Sequence, residues 1–474
     1  MDEQHTATKR TWIIVSAIVG VLVIALGAYL FFTRNSPSSP IRSVTSLFGQ
    51  LGQEIARPLG GDIQPGGSFS GGNGQEGAAE EPLFRQLSTI PTAGATVVER
   101  DGKTFVRYIA KENGYTYEVD PKTGQSVQLT NTTIPRLYEA YWGNAGESVT
   151  LRYLTRDALE QDTIKTYLAY LSVPKKIDLS ATATTPILGT LIGDFLPDNI
   201  SSVSVSPDGT KLFYLLPINN EVAGTILTLA TRAKKEIFRN TFKEWTPQLL
   251  NNETVILTTK PSAKVEGFSY LFDPKDRSFS RIVRKVNALT TLANTENTRV
   301  LYSENKIGKL SLNVYDKKGY AGDEGLVFQT MPLPVATLPE KCVWSQNRVR
   351  IFCAAFSATP KAELPDEWYQ GTLAFADLFW TVNTDSSEIA FLADPTKEES
   401  AQNQSFDVMN PFMNKGETYF FFINKNDMTL WSMRIEKEKY MTVEEEEAVL
   451  DTTTLTPDEL KDAVGSMPTT TVKK

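Results

Sequence analysis

A strand–turn–strand pattern that recurs along the chain limits its possible folds more than any other feature. In the stretch "VSVSPDGTKLFYLL", residues 203–216, alternating apolar and polar residues lead into a turn at Pro207, Asp208 and Gly209, and an apolar strand follows. Proline presets φ and glycine accepts positive φ, so this stretch predicts a β-hairpin. Comparable hairpins are centred on Gly102, Gly146, Gly209, Asn252, Asn297, Arg348 and Gly416. Most neighbouring centres lie roughly 43 to 51 residues apart, and this period predicts a β-propeller with one blade for each of the seven centres.

The two ends of the repeat region predict how the ring closes. Four strands are recognisable in the first blade, as "ATVVER", "TFVRYIA", "GYTYEVD" and "SVQLT", whereas the last blade offers only three. A missing outer strand would leave an exposed sheet edge, which natural proteins avoid. The segment "LFRQLST", residues 83–89, precedes the first blade without a partner, so we expect it to complete blade seven. The predicted fold class is therefore all-β, a seven-bladed β-propeller over residues 83–435.

The amino-terminal region predicts a single transmembrane helix over residues 11–33. No charged residue occurs between Trp12 and Phe32, and this stretch is long enough to cross about 30 Å of hydrocarbon as a helix. The alternative is a cleaved signal peptide with Ala25 and Gly27 as the small residues of a cleavage site. The apolar run is longer than a typical signal core, which favours an uncleaved anchor.

The remaining segments predict a tether and two tails. Residues 1–10 form a short tail that we expect in the cytoplasm. Residues 34–82 are rich in Gly, Ser and Pro and predict a flexible linker, with helical apolar spacing over 41–55 that allows a short amphipathic helix. Residues 436–474 are acidic and rich in Thr, which predicts a mobile carboxyl-terminal tail.

The only two cysteines, Cys342 and Cys353, lie in the stretch "CVWSQNRVRIFC". If this hairpin turns at Asn347 and Arg348, the two cysteines are directly opposed on neighbouring strands, at a spacing that a disulfide can span. The alternative is a pair of buried thiols. A disulfide would indicate an oxidising, exported location.

Composition excludes several kinds of chemistry in the predicted propeller. The formal net charge of −8 argues against a nucleic-acid partner. The single histidine, His5, precedes the predicted membrane helix, so the propeller contains no imidazole for a Ser-His-Asp triad or a histidine zinc site. We expect no catalytic residue, no cofactor and no metal. A glycosidase needs only two carboxylates, and Asp366, Glu367 and Asp377 are candidates for that alternative.

Aromatic residues offer two kinds of candidate contact. Trp142, Trp344 and Phe412 occupy matching places on the innermost strands, where they either line a central channel or, as we favour, pack between blades. Trp368 and Tyr369 lie in the inserted loop "ATPKAELPDEWYQG" and are predicted partner contacts, because exposed aromatics on a loop of a rigid scaffold suit recognition. The alternative is that both rings fold back onto the blade.

Several stretches resemble known propellers. "SPDGTKLFY" is similar to the repeat unit of TolB-type, WD-repeat-like propellers. In their order, "LFRQLSTIPTAGATVV", "NTTIPRLYEAYWG", "KCVWSQNRVRIFCA", "LPDEWYQGTLAFADLFWTVN" and "YFFFINKNDMTLWSMRI" resemble a family of membrane-anchored propellers from candidate-phylum bacteria. The resemblance implies an exported propeller and brings no established activity.

Together these features predict a single-pass protein of the cytoplasmic membrane, with its amino terminus inside and its propeller outside. The expected function is binding or scaffolding of a protein, a peptide or a cell-envelope polymer. Two alternatives are a carbohydrate-active enzyme that uses paired carboxylates and a structural subunit of an envelope complex.

Overall fold

The computed structural model describes residues 81–156, 160–172, 188–251, 253–321, 327–358 and 360–440. The predicted membrane helix and signal-peptide alternative, the linker up to residue 80, and the acidic tail from residue 441 onwards lie outside these residues. Within the described ranges, no helix combines the length and the apolar character that a membrane crossing requires.

The regular secondary structure of the described residues is almost entirely β-strand. The strands of the first half are β1 (Phe84–Gln86), β2 (Thr92–Arg100), β3 (Lys103–Ala110), β4 (Thr116–Val119), β5 (Ser126–Gln128), β6 (Leu137–Gly143), β7 (Ser148–Arg156), β8 (Asp162–Ser172), β9 (Thr190–Phe195), β10 (Ser202–Val205), β11 (Lys211–Ile218), β12 (Glu221–Thr228) and β13 (Lys234–Asn240). Those of the second half are β14 (Trp245–Leu249), β15 (Val255–Thr259), β16 (Glu266–Asp273), β17 (Ser278–Asn287), β18 (Thr291–Ala293), β19 (Arg299–Lys306), β20 (Lys309–Ala321), β21 (Val327–Pro332), β22 (Cys342–Trp344), β23 (Arg350–Phe356), β24 (Asp377–Asn383), β25 (Ile389–Ala393), β26 (Val408–Met413), β27 (Tyr419–Asn424) and β28 (Leu430–Arg434). The described residues add one short helix, α1 (Asp366–Gln370), and single 3-10 turns at Asn144–Gly146, Pro339–Lys341, Pro395–Lys397, Glu399–Ala401 and Lys437–Lys439.

The strands form seven antiparallel sheets of four strands each, which confirms the seven-bladed propeller. Blades one to six are consecutive, from β2–β5 to β22–β25, and blade seven combines β26, β27 and β28 with β1. First strands of neighbouring blades contact one another in five places, β2 with β6, β6 with β10, β10 with β14, β22 with β26, and β26 of blade seven with β2 of blade one. Because successive strands of a blade run in opposite directions, the loops between second and third strands lie on the same face as the loops that enter each first strand. We name this face the upper face.

The amino-terminal segment closes the ring as predicted. Strand β1 pairs with β28, so that Phe84 lies opposite Met433 and Gln86 opposite Trp431. The backbone N–H of Arg434 also donates to the carbonyl of Leu83 at 2.8 Å. Only 1% of Phe84 is exposed. Residues more than three hundred positions apart in sequence thus share the sheet of blade seven.

The large aromatic residues of the inner strands pack between blades, and the interpretation favoured above is confirmed. The indole Nε1 of Trp142 in blade two donates to the carbonyl of Gly94 in blade one at 3.3 Å. In the same way, Trp344 in blade six donates to Leu292 in blade five at 3.2 Å. The ring of Phe412 stacks on Phe421 of the adjacent strand, with centroids 5.2 Å apart, and packs against a cluster that includes Tyr108 of blade one. These rings fill the space where neighbouring sheets approach each other near the axis.

Several hairpin turns contain a residue with positive φ even where the sequence motif is weak. Gly209 adopts a φ of 69°, and the Asp208 carboxylate accepts the backbone N–H of Thr210 at 3.0 Å. Asn297 and Arg348, which stand in turns without an Asp-Gly pair, take positive φ values of 57° and 61°. The turn predicted at Asn252 falls on a residue outside the described ranges.

Candidate functional site

An insertion in blade six carries the two aromatic residues that the sequence suggested as partner contacts. Residues 360–376, which we name the blade-six insertion, connect β23 to β24 on the upper face and contain α1. Asp366 and Glu367 occupy the first turn of α1, where their negative charge interacts favourably with the helix dipole. Gly371 ends the helix with a φ of 75°.

Trp368 is buried, which corrects the expectation of an exposed partner contact at this position. Only 3% of its surface is exposed. Its indole Nε1 donates to both carboxylate oxygens of Asp407 at 3.0 Å. Its ring packs with Phe375, Leu364 and Leu338 in one apolar cluster. The tryptophan folds back onto the blades because it meets both an apolar cluster and a buried acceptor there.

Tyr369 remains accessible to a partner. Its side chain is 46% exposed. Its hydroxyl donates to the carboxylate of Glu340, which lies half-buried in the 3-10 turn before β22. Burial raises the pKa of Glu340 to about 7, although the Tyr369 hydroxyl and the Lys341 charge oppose this rise.

Beneath the insertion lies a buried ion network that joins blades six and seven. The ammonium of Lys341 donates to Asp377 at 2.6 Å, to Asp407 at 2.7 Å and to the carbonyl of Val408 at 2.9 Å. None of the three charged side chains is exposed. The ammonium also lies 5.2 Å from the ring centroid of Trp368. A single lysine therefore supports two carboxylates, one from each of two blades.

The buried charge of Asp377 is only partly compensated by its partners. Burial raises the pKa of Asp377, and the nearby Lys341 charge lowers it. Within the described residues, Oδ1 of Asp377 has no hydrogen-bond partner. A second lysine, Lys425, donates to the carbonyl of Trp368 with its ammonium 4.8 Å from the ring centroid, and burial lowers its pKa. The network therefore holds blades six and seven together. The Lys341 side chain has no exposed atoms with which to act on a substrate.

The three acids considered for a glycosidase all make structural contacts. Asp377 pairs with the buried lysine, as described. Asp366 accepts the backbone N–H of Ala263 in blade four at 2.6 Å. Glu367 accepts the backbone N–H of Glu363 at 2.8 Å. These contacts also show that the blade-six insertion reaches from blade seven to blade four across the upper face.

Cys342 and Cys353 are cross-strand partners of β22 and β23 and are joined in a disulfide. Their Cα atoms lie 4.1 Å apart. Both residues are buried, with 4% and 1% of their surfaces exposed. The bond lies in the apolar cluster between blades five and six, and the described residues contain no free cysteine.

A cavity of about 530 Å³ lies between the outer strand of blade three and the facing side of blade four. Five of its seven lining residues are aromatic. The lining consists of Asn240, Phe242, Trp245, Thr259, Phe268, Tyr270 and Phe279. We name it the aromatic cleft. Phe242 and Phe279 are 44% and 38% exposed, so aromatic surface at this site remains open to a partner.

Sequence reasoning missed the aromatic cleft. The available signal is the alternation of aromatic residues in "GFSYLFD", residues 267–273, which places Phe268 and Tyr270 on one side of β16. Alternation alone predicts a packed face. The cleft lies beside the end of β13 at Asn240, and its lining combines residues at and just after the end of blade three with residues of all four strands of blade four.

The seven four-stranded sheets define a seven-bladed β-propeller. No family model matches the chain, and no curated protein matches it in sequence. Among solved structures, it is similar to oligogalacturonate lyase from Vibrio parahaemolyticus, at 11% identity and a TM-score of 0.46 over 75% of this chain and 94% of that one.

Two further solved structures match at the same sequence identity. TolB from Acinetobacter baumannii matches at 11% identity and a TM-score of 0.35, over 72% of this chain and 79% of that one. The tricorn protease matches at 11% identity and a TM-score of 0.43; 77% of this chain is covered, and the match spans only 35% of the protease. At these levels of similarity, neither an activity nor a ligand is carried over to this chain.

The buried network generates a stability prediction. We expect Lys341→Met to lower the free energy of unfolding by about 3–5 kcal/mol, because two buried carboxylates lose their counterion. The matched control is Lys165→Met, which removes a lysine from the exposed pair with Asp198 and should cost no more than about 1 kcal/mol. Urea unfolding followed by tryptophan fluorescence measures both. Equal losses in the two variants would contradict a stabilising role for the network.

Glu340 generates a prediction about pH. Its pKa in the folded state is about 7, above the ordinary value of 4.5, so the folded state binds this proton more tightly than the unfolded state does. Its contribution to stability is therefore present below pH 4.5 and is lost as the pH rises through 7. We expect Glu340→Gln, which keeps an acceptor for Tyr369, to lose less stability than the wild type between about pH 5 and about pH 8. The measurement is the melting temperature of each protein as a function of pH. If the two melting temperatures changed in parallel over this range, the assignment would be contradicted.

Proposed function

We propose that this protein is a binding module in which the propeller holds a partner at the aromatic cleft. The observation that carries the proposal is a cavity of about 530 Å³ with half-exposed rings at its opening. Ligand sites in proteins are commonly concave, mostly apolar and about 300–1,000 Å³ in volume. Exposed aromatic rings held by a rigid scaffold supply contact area at low entropic cost.

The cleft favours a peptide or protein among the partners that we expect. Its walls are rings and contain two polar side chains, so a bulky apolar side chain is the group that it best accommodates. Tyr369, half-exposed on the upper face, offers a second contact for a larger partner. The enzyme alternative loses support because Asp366, Glu367 and Asp377 are engaged in structural contacts.

We further propose that the propeller is exported and tethered at the outer face of the cytoplasmic membrane. Two observations support this location. The uncharged stretch from Trp12 to Phe32 is long enough to cross a bilayer. The pairing of the only two cysteines in one disulfide suits an oxidising compartment. The linker would then give the propeller reach above the membrane.

A peptide-display selection tests the binding proposal. The full chain, purified in detergent, is used to select from random displayed peptides, and the enriched peptides are then synthesised. We expect Phe242→Ala to weaken their binding about tenfold, because it removes a half-exposed wall of the cleft. The matched control is Phe391→Ala, because Phe391 is similarly exposed, at 46%. Each phenylalanine also packs against a tryptophan: the ring centroids of Phe391 and Trp380 lie 5.0 Å apart, and those of Phe242 and Trp245 lie 4.6 Å apart.

The two variants distinguish specific binding at the cleft from non-specific hydrophobic binding. Both should melt at the wild-type temperature and differ only in peptide affinity. A selection that enriches no peptide, or equal loss of affinity in Phe242→Ala and Phe391→Ala, would show that the aromatic cleft is not a peptide-binding site.

Thiol trapping tests the location. Cells that express the full chain are denatured in excess iodoacetamide, so that buried thiols are also exposed. We expect Cys342 and Cys353 to resist alkylation until a reductant is added. The same chain without residues 11–33 should stay in the reducing cytoplasm and be alkylated at both cysteines. Alkylation of the unreduced full chain would argue against export.

A further inference from the structure

We infer that the aromatic cleft selects acidic peptides, in which carboxylates flank one bulky apolar side chain. This inference rests on the proposed function and specifies the class of its ligand. Its support comes from the cations beside the cleft, the uneven distribution of charge along the chain, and the engagement of the polar groups in the cleft wall.

Two arginines of the outer strand β17 border the cleft. Arg281 lies directly opposite Tyr270 in the pairing of β16 with β17, and Arg284 lies directly opposite Phe268. Residues directly opposed in antiparallel strands project to the same face of the sheet. Both arginines therefore stand on the face that carries two of the lining rings, one strand further out.

These arginines are available to a ligand. Both are exposed, and neither forms an ion pair within the described part of the chain. Arg239 on the opposite side of the cleft differs, because it pairs with Glu236 at 2.7 Å. An arginine that is exposed and without a carboxylate partner can bind an incoming carboxylate through two parallel hydrogen bonds.

The wider surface around the cleft has the same sign of charge. Residues 231–290, which supply β13 and all of blade four, contain twelve Lys and Arg against six Asp and Glu, an excess of six positive charges. The whole chain instead has a formal net charge of −8. An acidic ligand is therefore attracted to this sector and repelled by the average surface elsewhere, which gives orientation as well as affinity.

The cleft wall suits an apolar side chain better than a sugar. Its two non-aromatic residues already use side-chain oxygens within the protein. Asn240 Oδ1 accepts the backbone N–H of Phe242 at 2.8 Å, and Thr259 Oγ1 accepts the backbone N–H of Phe268 at 3.0 Å. A sugar would bring several hydroxyl groups to a wall with few free partners, whereas an aromatic or large aliphatic side chain needs none. The cations lie at the rim and the rings lie inside, which matches an acidic peptide with one apolar anchor.

Two synthetic peptides test the inference against the full chain. One has a central phenylalanine flanked on each side by two glutamates, and the other replaces each glutamate with glutamine. We expect the glutamate peptide to bind more tightly, and its affinity to fall as ionic strength rises. Arg281→Glu with Arg284→Glu should weaken its binding about tenfold or more.

The matched control keeps the net charge of that double variant. Lys309→Glu with Lys415→Glu reverses two exposed lysines in blades five and seven, neither of which forms an ion pair among the described residues. We expect the control to bind the glutamate peptide as the wild type does. An equal loss in both double variants would reduce the effect to overall charge and overturn the inference.

The remaining outcomes separate this inference from the proposed function. If the displayed peptides that depend on Phe242 are not acidic, or if the glutamine peptide binds as tightly as the glutamate peptide, the inference fails and the peptide-binding cleft stands. If an acidic polysaccharide binds in an Arg281- and Arg284-dependent manner and neither peptide binds, the ligand class proposed here is wrong.

Discussion

The pairing of β1 with β28 is the contact on which the rest of the structure depends. Seven sheets can surround an axis only if the last sheet also packs against the first, and blade seven lacks its outer strand unless β1 supplies it. This strand also brings Phe84 into the apolar cluster that contains Phe406, Phe420 and Trp431. The backbone N–H of Phe84 donates to Ser400 in the turn between blades six and seven. Closure therefore fixes the boundary of blades six and seven at which the buried ions lie.

The two sites on the ring illustrate opposite uses of polar and aromatic groups. At the boundary of blades six and seven, charges are buried, paired and covered by Trp368, at a desolvation cost that only good geometry offsets. Between blades three and four, rings are left half-exposed, and Arg281 and Arg284 at the rim form no ion pair with any other described residue. The first arrangement holds the blade-six insertion in one position across the upper face. The second leaves aromatic surface exposed, which stability alone would disfavour and which the proposed binding of a partner accounts for.

The sequence predicts the parts of this structure that depend on local patterns or on counting. Turn residues and strand alternation locate the hairpins, and the spacing of their centres indicates the number of blades. The unpartnered segment before blade one predicts closure, because a free sheet edge is unfavourable. Counting from the turn at Asn347 and Arg348 places Cys342 opposite Cys353, as the register of β22 and β23 has it.

The features that sequence reasoning missed depend on contacts between blades. Trp368 is buried because Asp407, thirty-nine positions later, presents a carboxylate from the start of another blade. Lys341 is an ordinary lysine in the sequence and gains its role from two acids in different sheets. The aromatic cleft is a gap, and the strand pattern of either neighbouring blade does not reveal where two sheets diverge.

Hydrogen exchange in the full chain tests the closed ring most directly. The account predicts slow exchange for the N–H of Leu87, which donates to the carbonyl of Leu430 at 2.8 Å, and for the N–H of Arg434, which donates to the carbonyl of Leu83 at 2.8 Å. Exchange of residues 83–89 at the rate of an unstructured peptide, together with fast exchange along the outer edge of β28, would contradict the closed seven-bladed ring.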